Sequence, residues 1–147
     1  MLIISSLLIL LITACQSAPS FEKQTEEFYR EANKRGCFVF PIRTHFARLE
    51  ENIAGYCVSS FGILLNETKW KDMGEYQKRE LVFHELGHCV LGLEHTSLGL
   101  MAPSMHSEDE LELMWPKYVE LLFADCLTLE KMINLKSSDK SGTDKQP

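Results

Sequence analysis

An α+β domain is predicted from three observations. Short β-rich runs are confined to the first half of the chain, a long helical run spans Gly74 to Leu91, and a capping signature at Ser107 opens further helix. The expected architecture is a small sheet, mostly antiparallel or mixed, packed on the Gly74–Leu91 helix with a C-terminal helix below it. The length of 147 residues suits one domain. An apolar share of 45% is enough for one core, and the net charge of −6 with scattered Lys and Arg gives no nucleic-acid footprint.

The elements follow in order. Phe21, Phe28, Tyr29 and Ala32 lie among charges at spacings that give one apolar helical face over 21–35, and Gly36 stops that helix. Residues 37–43, CFVFPIR, read as a strand in which Pro41 marks an edge or bulge. Residues 54–58 and 61–65 read as two more short strands, the latter ending at Asn66-Glu67-Thr68. The helix over Gly74–Leu91 is polar up to Glu80 and apolar almost all round from Leu81, so its second half should be buried. Gly92 suits a C′ residue at positive φ. A loop covers 94–106. Ser107-x-x-Glu110 is a capping box, and Pro116 should divide a short helix from a second one over Lys117 to about Cys126. Trp70 and Trp115 read as core anchors, and His45 as a surface loop histidine.

The two ends carry different signals. Residues 1–14, MLIISSLLILLITA, are almost all apolar but shorter than the roughly 20 residues a membrane span needs. They read as a signal peptide. Ile12-Thr13-Ala14-Cys15 resembles the bacterial lipobox, although the n-region has no Lys or Arg. That resemblance implies lipidation at Cys15, a tether over 15–20, and an exported protein anchored to a bacterial membrane. Gln16 favours the outer membrane, facing periplasm or surface. Residues 136–147 are polar and read as a disordered tail after a domain over 21–135.

Export places Cys37, Cys57, Cys89 and Cys126 in an oxidising compartment. Four cysteines allow three disulfide connectivities, and buried free thiols are the alternative. The expected pairs are Cys57–Cys89, fastening a strand to the long helix, and Cys37–Cys126, fastening the start of the first strand to the C-terminal helix.

The chemistry concentrates at His84-Glu85-Leu86-Gly87-His88. Histidines at i and i+4 sit about 40° apart on one helical face, so both imidazoles can grip one ion. Glu85, beside them, can reach a water on that ion and take its proton. Three such groups in a buried half-helix need partners, since burying them alone costs several kcal/mol. The pattern therefore points to Zn2+ and to hydrolysis of peptide bonds, with Glu85 as the base.

Catalytic zinc also needs a third protein ligand. The continuation through Gly92 to His95, followed by Leu100-Met101-Ala102-Pro103, resembles the metzincin signature and the Met-turn of its matrixin branch. The run His84–Cys89 with a later histidine also resembles small bacterial lipoproteins. The resemblance covers the motif region only. It implies a zincin-like fold, His95 as third ligand, Met101 beneath the metal, and an extended peptide or protein substrate paired with an edge strand, for which 61–65 is the candidate. Three residues separate His88 from Gly92 where metzincins have two, which rotates the turn by about 100°. Glu94, His106, Glu108, Glu110 and Glu112 therefore stay open as third ligands, and a glutamate would resemble gluzincins instead. Tyr118 could donate to a tetrahedral intermediate or simply serve an amphipathic helix. The expected enzyme is a monomer. The alternative function is a zinc-binding surface lipoprotein without catalysis, which would have no use for Glu85.

Overall fold

The computed structural model describes residues 20–58 and 61–126. The signal peptide, Cys15, the tether before Ser20 and the C-terminal tail lie outside the described residues. The order of elements is α1 (Glu22–Lys34), β1 (Thr44–Ala47), β2 (Gly55–Val58), β3 (Gly62–Asn66), α2 (Glu67–Asp72), α3 (Glu75–Leu91), a 3-10 turn (Gly99–Met101) and α4 (Glu108–Phe123). The class is α+β, as the sequence predicts. Among the described residues no helix is long and apolar enough to cross a membrane.

The sheet is mixed, in the order β1-β3-β2, with β1 parallel and β2 antiparallel to β3. Strand β3 is the middle strand, not the cleft edge that the sequence suggests. Its Ile63 and Leu65 are fully buried, and both of its backbone edges are paired. A strand this apolar gains most when covered on both sides. The sheet's outer edges belong to β1 and β2, and of the two it is β2 that lines the cavity described below.

Three expectations of secondary structure are corrected. Residues 37–43 form no strand beyond an isolated bridge at Cys37. Pro41 has no N–H for a ladder, and the neighbouring backbone bonds elsewhere: Cys37 N–H to the Ala32 carbonyl at 3.0 Å, and Ile42 N–H to the Tyr29 hydroxyl at 3.0 Å. The strand begins at Thr44, so His45 stands on β1 rather than in a loop, still exposed. Pro116 does not divide α4, which is continuous. Pro116 and Glu112, whose carbonyl loses its helical donor, are both exposed, so water can serve that carbonyl. Helix α2 was missed. Asn66 caps it, accepting from Thr68 N–H at 3.1 Å, while its amide donates to the Ile53 carbonyl at 2.9 Å. That buried side chain joins β3, α2 and the loop before β2.

The core joins three helices through aromatic rings. Phe28 of α1 meets Phe83 of α3 at 5.3 Å and Phe123 of α4 at 5.2 Å, and Phe83 meets Trp115 at 5.0 Å. Trp70 and Trp115 are both buried. From Leu81 to Leu86 every residue of α3 is buried except His84. The helix is thus clamped between the sheet and the other two helices, with one histidine-bearing stripe left open.

Candidate metal centre

The open stripe of α3 carries Glu80, His84 and His88 at successive turns. Glu85 and Leu81 beside it line the same cavity of about 640 Å³. Residues Ile53 to Cys57, leading into and along β2, line it too, as do Ala102, Pro103 and Met105.

Helix α3 ends where Gly92 adopts φ +67°. The reversal lets Leu93 N–H donate to the Gly87 carbonyl at 3.1 Å and sends the chain back along the helix. His95 then arrives beside the two helical histidines. The Nε2 atoms of His84, His88 and His95 lie 3.1, 3.2 and 3.2 Å apart. The extra residue before Gly92 does not misdirect the turn.

The outer ring nitrogens fix the tautomers. His84 Nδ1 is 2.7 Å from the Leu100 carbonyl, and His88 Nδ1 is 2.6 Å from the Leu93 carbonyl. A carbonyl only accepts, so each Nδ1 carries the proton and each Nε2 presents a lone pair. Burial, with His88 and His95 adding to it, holds the His84 pKa below its ordinary value. Three Nε2 atoms this close, two of them on rings whose Nδ1 donates to a carbonyl, form a convergent donor set for a cation. Three nitrogens at about 2.0–2.1 Å around a tetrahedral ion stand about 3.3 Å from one another, so this donor set fits a divalent metal. It is the three-residue metal-holding group found among the described residues.

Glu85 is 5% exposed and points under β2. Burial lifts its carboxyl to about 7, opposed only by the backbone N–H of Cys57. A Cβ added to Gly55 would stand 3.2 Å from Glu85 Cγ and Oε1, so the start of β2 is fitted to this carboxylate. Met101 is buried, and a Cβ on Gly87 would come 2.5 Å from its Sδ. The methionine therefore packs against the helix at Gly87, the residue before His88.

The other candidate ligands are engaged elsewhere. His106 Nδ1 pairs with Glu80, which also accepts the His106 backbone N–H at 3.1 Å. Glu108 accepts from Tyr76 and Gln77 N–H at 2.9 and 3.1 Å, covering the N-terminus of α3. Glu110 accepts from the Tyr118 hydroxyl at 2.6 Å, so Tyr118 is a helix residue tied to α4 itself. Glu94 and Glu112 are exposed. Sequence reasoning missed Glu80 and Gly55. The spacing of Glu80, one turn before His84, was a usable signal for the first. The fit of Gly55 depends on strand pairing and had none.

The cysteines meet as two disulfides, Cys57–Cys89 and Cys37–Cys126, with Cα separations of 5.4 and 5.6 Å.

A family model described as "Putative phage metallopeptidase" matches residues 13–110, more than half of the chain. The chain belongs to this phage metallopeptidase family. The matched span includes α3, the Gly92 turn and all three converging histidines, so the family's metal-dependent character falls on the residues that the geometry gathers. No curated protein and no solved structure matches the chain.

Proposed function

We propose that the chain is a zinc-dependent endopeptidase in which His84, His88 and His95 hold the metal and Glu85 is the general base. One observation carries the reading: three Nε2 atoms converge beside a buried carboxylate, in a cavity walled by a free strand edge. When bound, zinc would supply a Lewis acid that polarises the scissile carbonyl and acidifies a water. Glu85 takes the proton from that water and gives it to the leaving amine, a shuttle suited to a carboxyl held near 7. The free edge of β2 receives an extended peptide or protein segment by main-chain pairing, in place of the β3 edge expected from the sequence.

The finer likeness to metzincins of the matrixin branch rests on the left-handed Gly92, on His95 and on Met101 packed against Gly87. For the N-terminus we propose cleavage before Cys15, lipid on that cysteine, and a monomer anchored to the outer membrane of a bacterium. The support is the Ile12–Cys15 lipobox. Mass spectrometry of the mature N-terminus tests this, and an unmodified Cys15 refutes it.

Metal analysis together with peptide-library cleavage tests the enzyme. The parent should hold one zinc and cut peptides. Glu85→Gln should hold the same zinc and lose about 10²–10⁴-fold in rate, the usual worth of a general base. A Gln variant as active as the parent would end the assignment. A zinc-loaded parent that cuts nothing would favour the non-catalytic zinc-binding lipoprotein.

A further inference from the structure

We propose that the Cys57–Cys89 disulfide is a positioning element of the catalytic centre, holding the edge strand β2 so that the Cys57 amide faces the Glu85 carboxylate. The inference rests on the peptidase reading above.

Three observations converge on it. Cys89 directly follows His88 on α3, and Cys57 is the third residue of the four-residue strand β2, so the bond crosses the cavity wall beside a proposed metal ligand. Cys57 and Glu85 line the same cavity, and the Cys57 backbone N–H draws the Glu85 pKa down against the rise from burial. Gly55, two residues earlier on the same side of the strand, lies against Glu85 so closely that a methyl group would touch it. One strand therefore packs on the carboxylate at two points and is tied covalently to the helix that carries it.

Strand β2 needs this tie. It has four residues, pairs only with β3, and its other edge is free for substrate. None of its four residues is fully buried, and Tyr56 is exposed. A shift of about 1 Å in a catalytic contact can cost about 10²-fold in rate.

The second disulfide supplies the control. Cys37–Cys126 joins the end of α1 to the end of α4, and neither of its cysteines lines the cavity. It spans 89 residues of sequence against 32 for Cys57–Cys89, so chain entropy makes it the stronger contributor to stability. The two bonds should rank oppositely for stability and for rate.

The experiment compares the purified oxidised protein with Cys57→Ala/Cys89→Ala and Cys37→Ala/Cys126→Ala. Four quantities are read: melting temperature, zinc affinity by chelator competition, kcat and KM on a cleaved library peptide, and hydrogen exchange at the Cys57 amide. The first variant should keep zinc affinity within about threefold, marking an intact helix and turn. It should lose about 10²-fold in kcat, and its Cys57 amide should exchange at least tenfold faster. The second should lose more melting temperature yet keep kcat and the Cys57 exchange rate. Should the alanine pair fail to fold, Cys57→Val with Cys89→Ala refills the volume and is read in the same way. Unchanged kcat and unchanged Cys57 exchange in the first variant would overturn the proposal. If the parent cuts no peptide, the peptidase reading fails by itself. The exchange rate still decides the positioning role, acceleration supporting it and no change refuting it.

Discussion

Two histidine centres meet α3 one helical turn apart, one at His84 and the other at Glu80, and they are built in opposite ways. At His84, His88 and His95 the outer nitrogens of the two helical rings donate to backbone carbonyls, and the inner nitrogens face one another with no acid among them. At His106 the ring meets the buried carboxylate of Glu80 on one side, stacks near Tyr118 at 5.0 Å, and has Glu110 3.8 Å from its other nitrogen. The first centre collects lone pairs and lacks a charge. The second already pairs its ring with a carboxyl group. Desolvation raises the Glu80 pKa, and the His106 ring opposes the rise, so the pair carries its own compensation. Histidine alone thus says little. What the other ring nitrogen meets decides whether a histidine is a ligand or a strut.

The largest test of this contrast exchanges the histidines. His95→Ala should weaken zinc binding by more than the roughly 10–100-fold that loss of an outer partner costs, because it removes one of three converging donors. His106→Ala should leave zinc affinity unchanged. Chelator competition on both variants measures it, and the reverse ranking would mean that the centres have been misassigned.

Stability should show the opposite order. His106→Ala removes the ring that pairs with a 3%-exposed carboxyl and leaves it only the residue-106 backbone N–H, a loss of about 1–3 kcal/mol for a buried polar group that loses a partner. His95 is exposed, so His95→Ala should cost the metal-free protein little. Denaturant unfolding without metal decides it. Equal losses would remove the distinction between strut and ligand.

Gly87→Ala tests how the first centre is supported. A Cβ there would lie 2.5 Å from Met101 Sδ, so the methionine or the helix must shift, at about 1–3 kcal/mol for overpacking. A neutral thermal melt would show that Met101 does not support the helix. Smallest should be Gly92→Ala. Nothing lies within 4 Å of the added Cβ, so the expected effect is only the left-handed strain of about 1–2 kcal/mol.

These residues also show what was legible before folding. The class, α1, α3 and the His84–His88 pair follow from local periodicity and spacing. His95 needed the turn at Gly92, whose positive φ is a property of one residue and could be foreseen. The edge of the cleft could not, because β3 becomes the middle strand only when β1 crosses to its far side. Likewise the false strand around Pro41 was not legible, since Cys37 and Ile42 bond back to Ala32 and to the Tyr29 hydroxyl of α1 instead of to a ladder. Pro116 misled in the other direction, because an exposed carbonyl can turn to water.

Zinc-edge X-ray absorption with anomalous diffraction from the zinc-loaded protein tests the central claim most directly. The account predicts one ion with three nitrogen neighbours at about 2.0–2.1 Å, located at the Nε2 atoms of His84, His88 and His95, with Glu80 and His106 still paired. An ion held at Glu80 and His106, or one bound by His84 and His88 without His95, would contradict it.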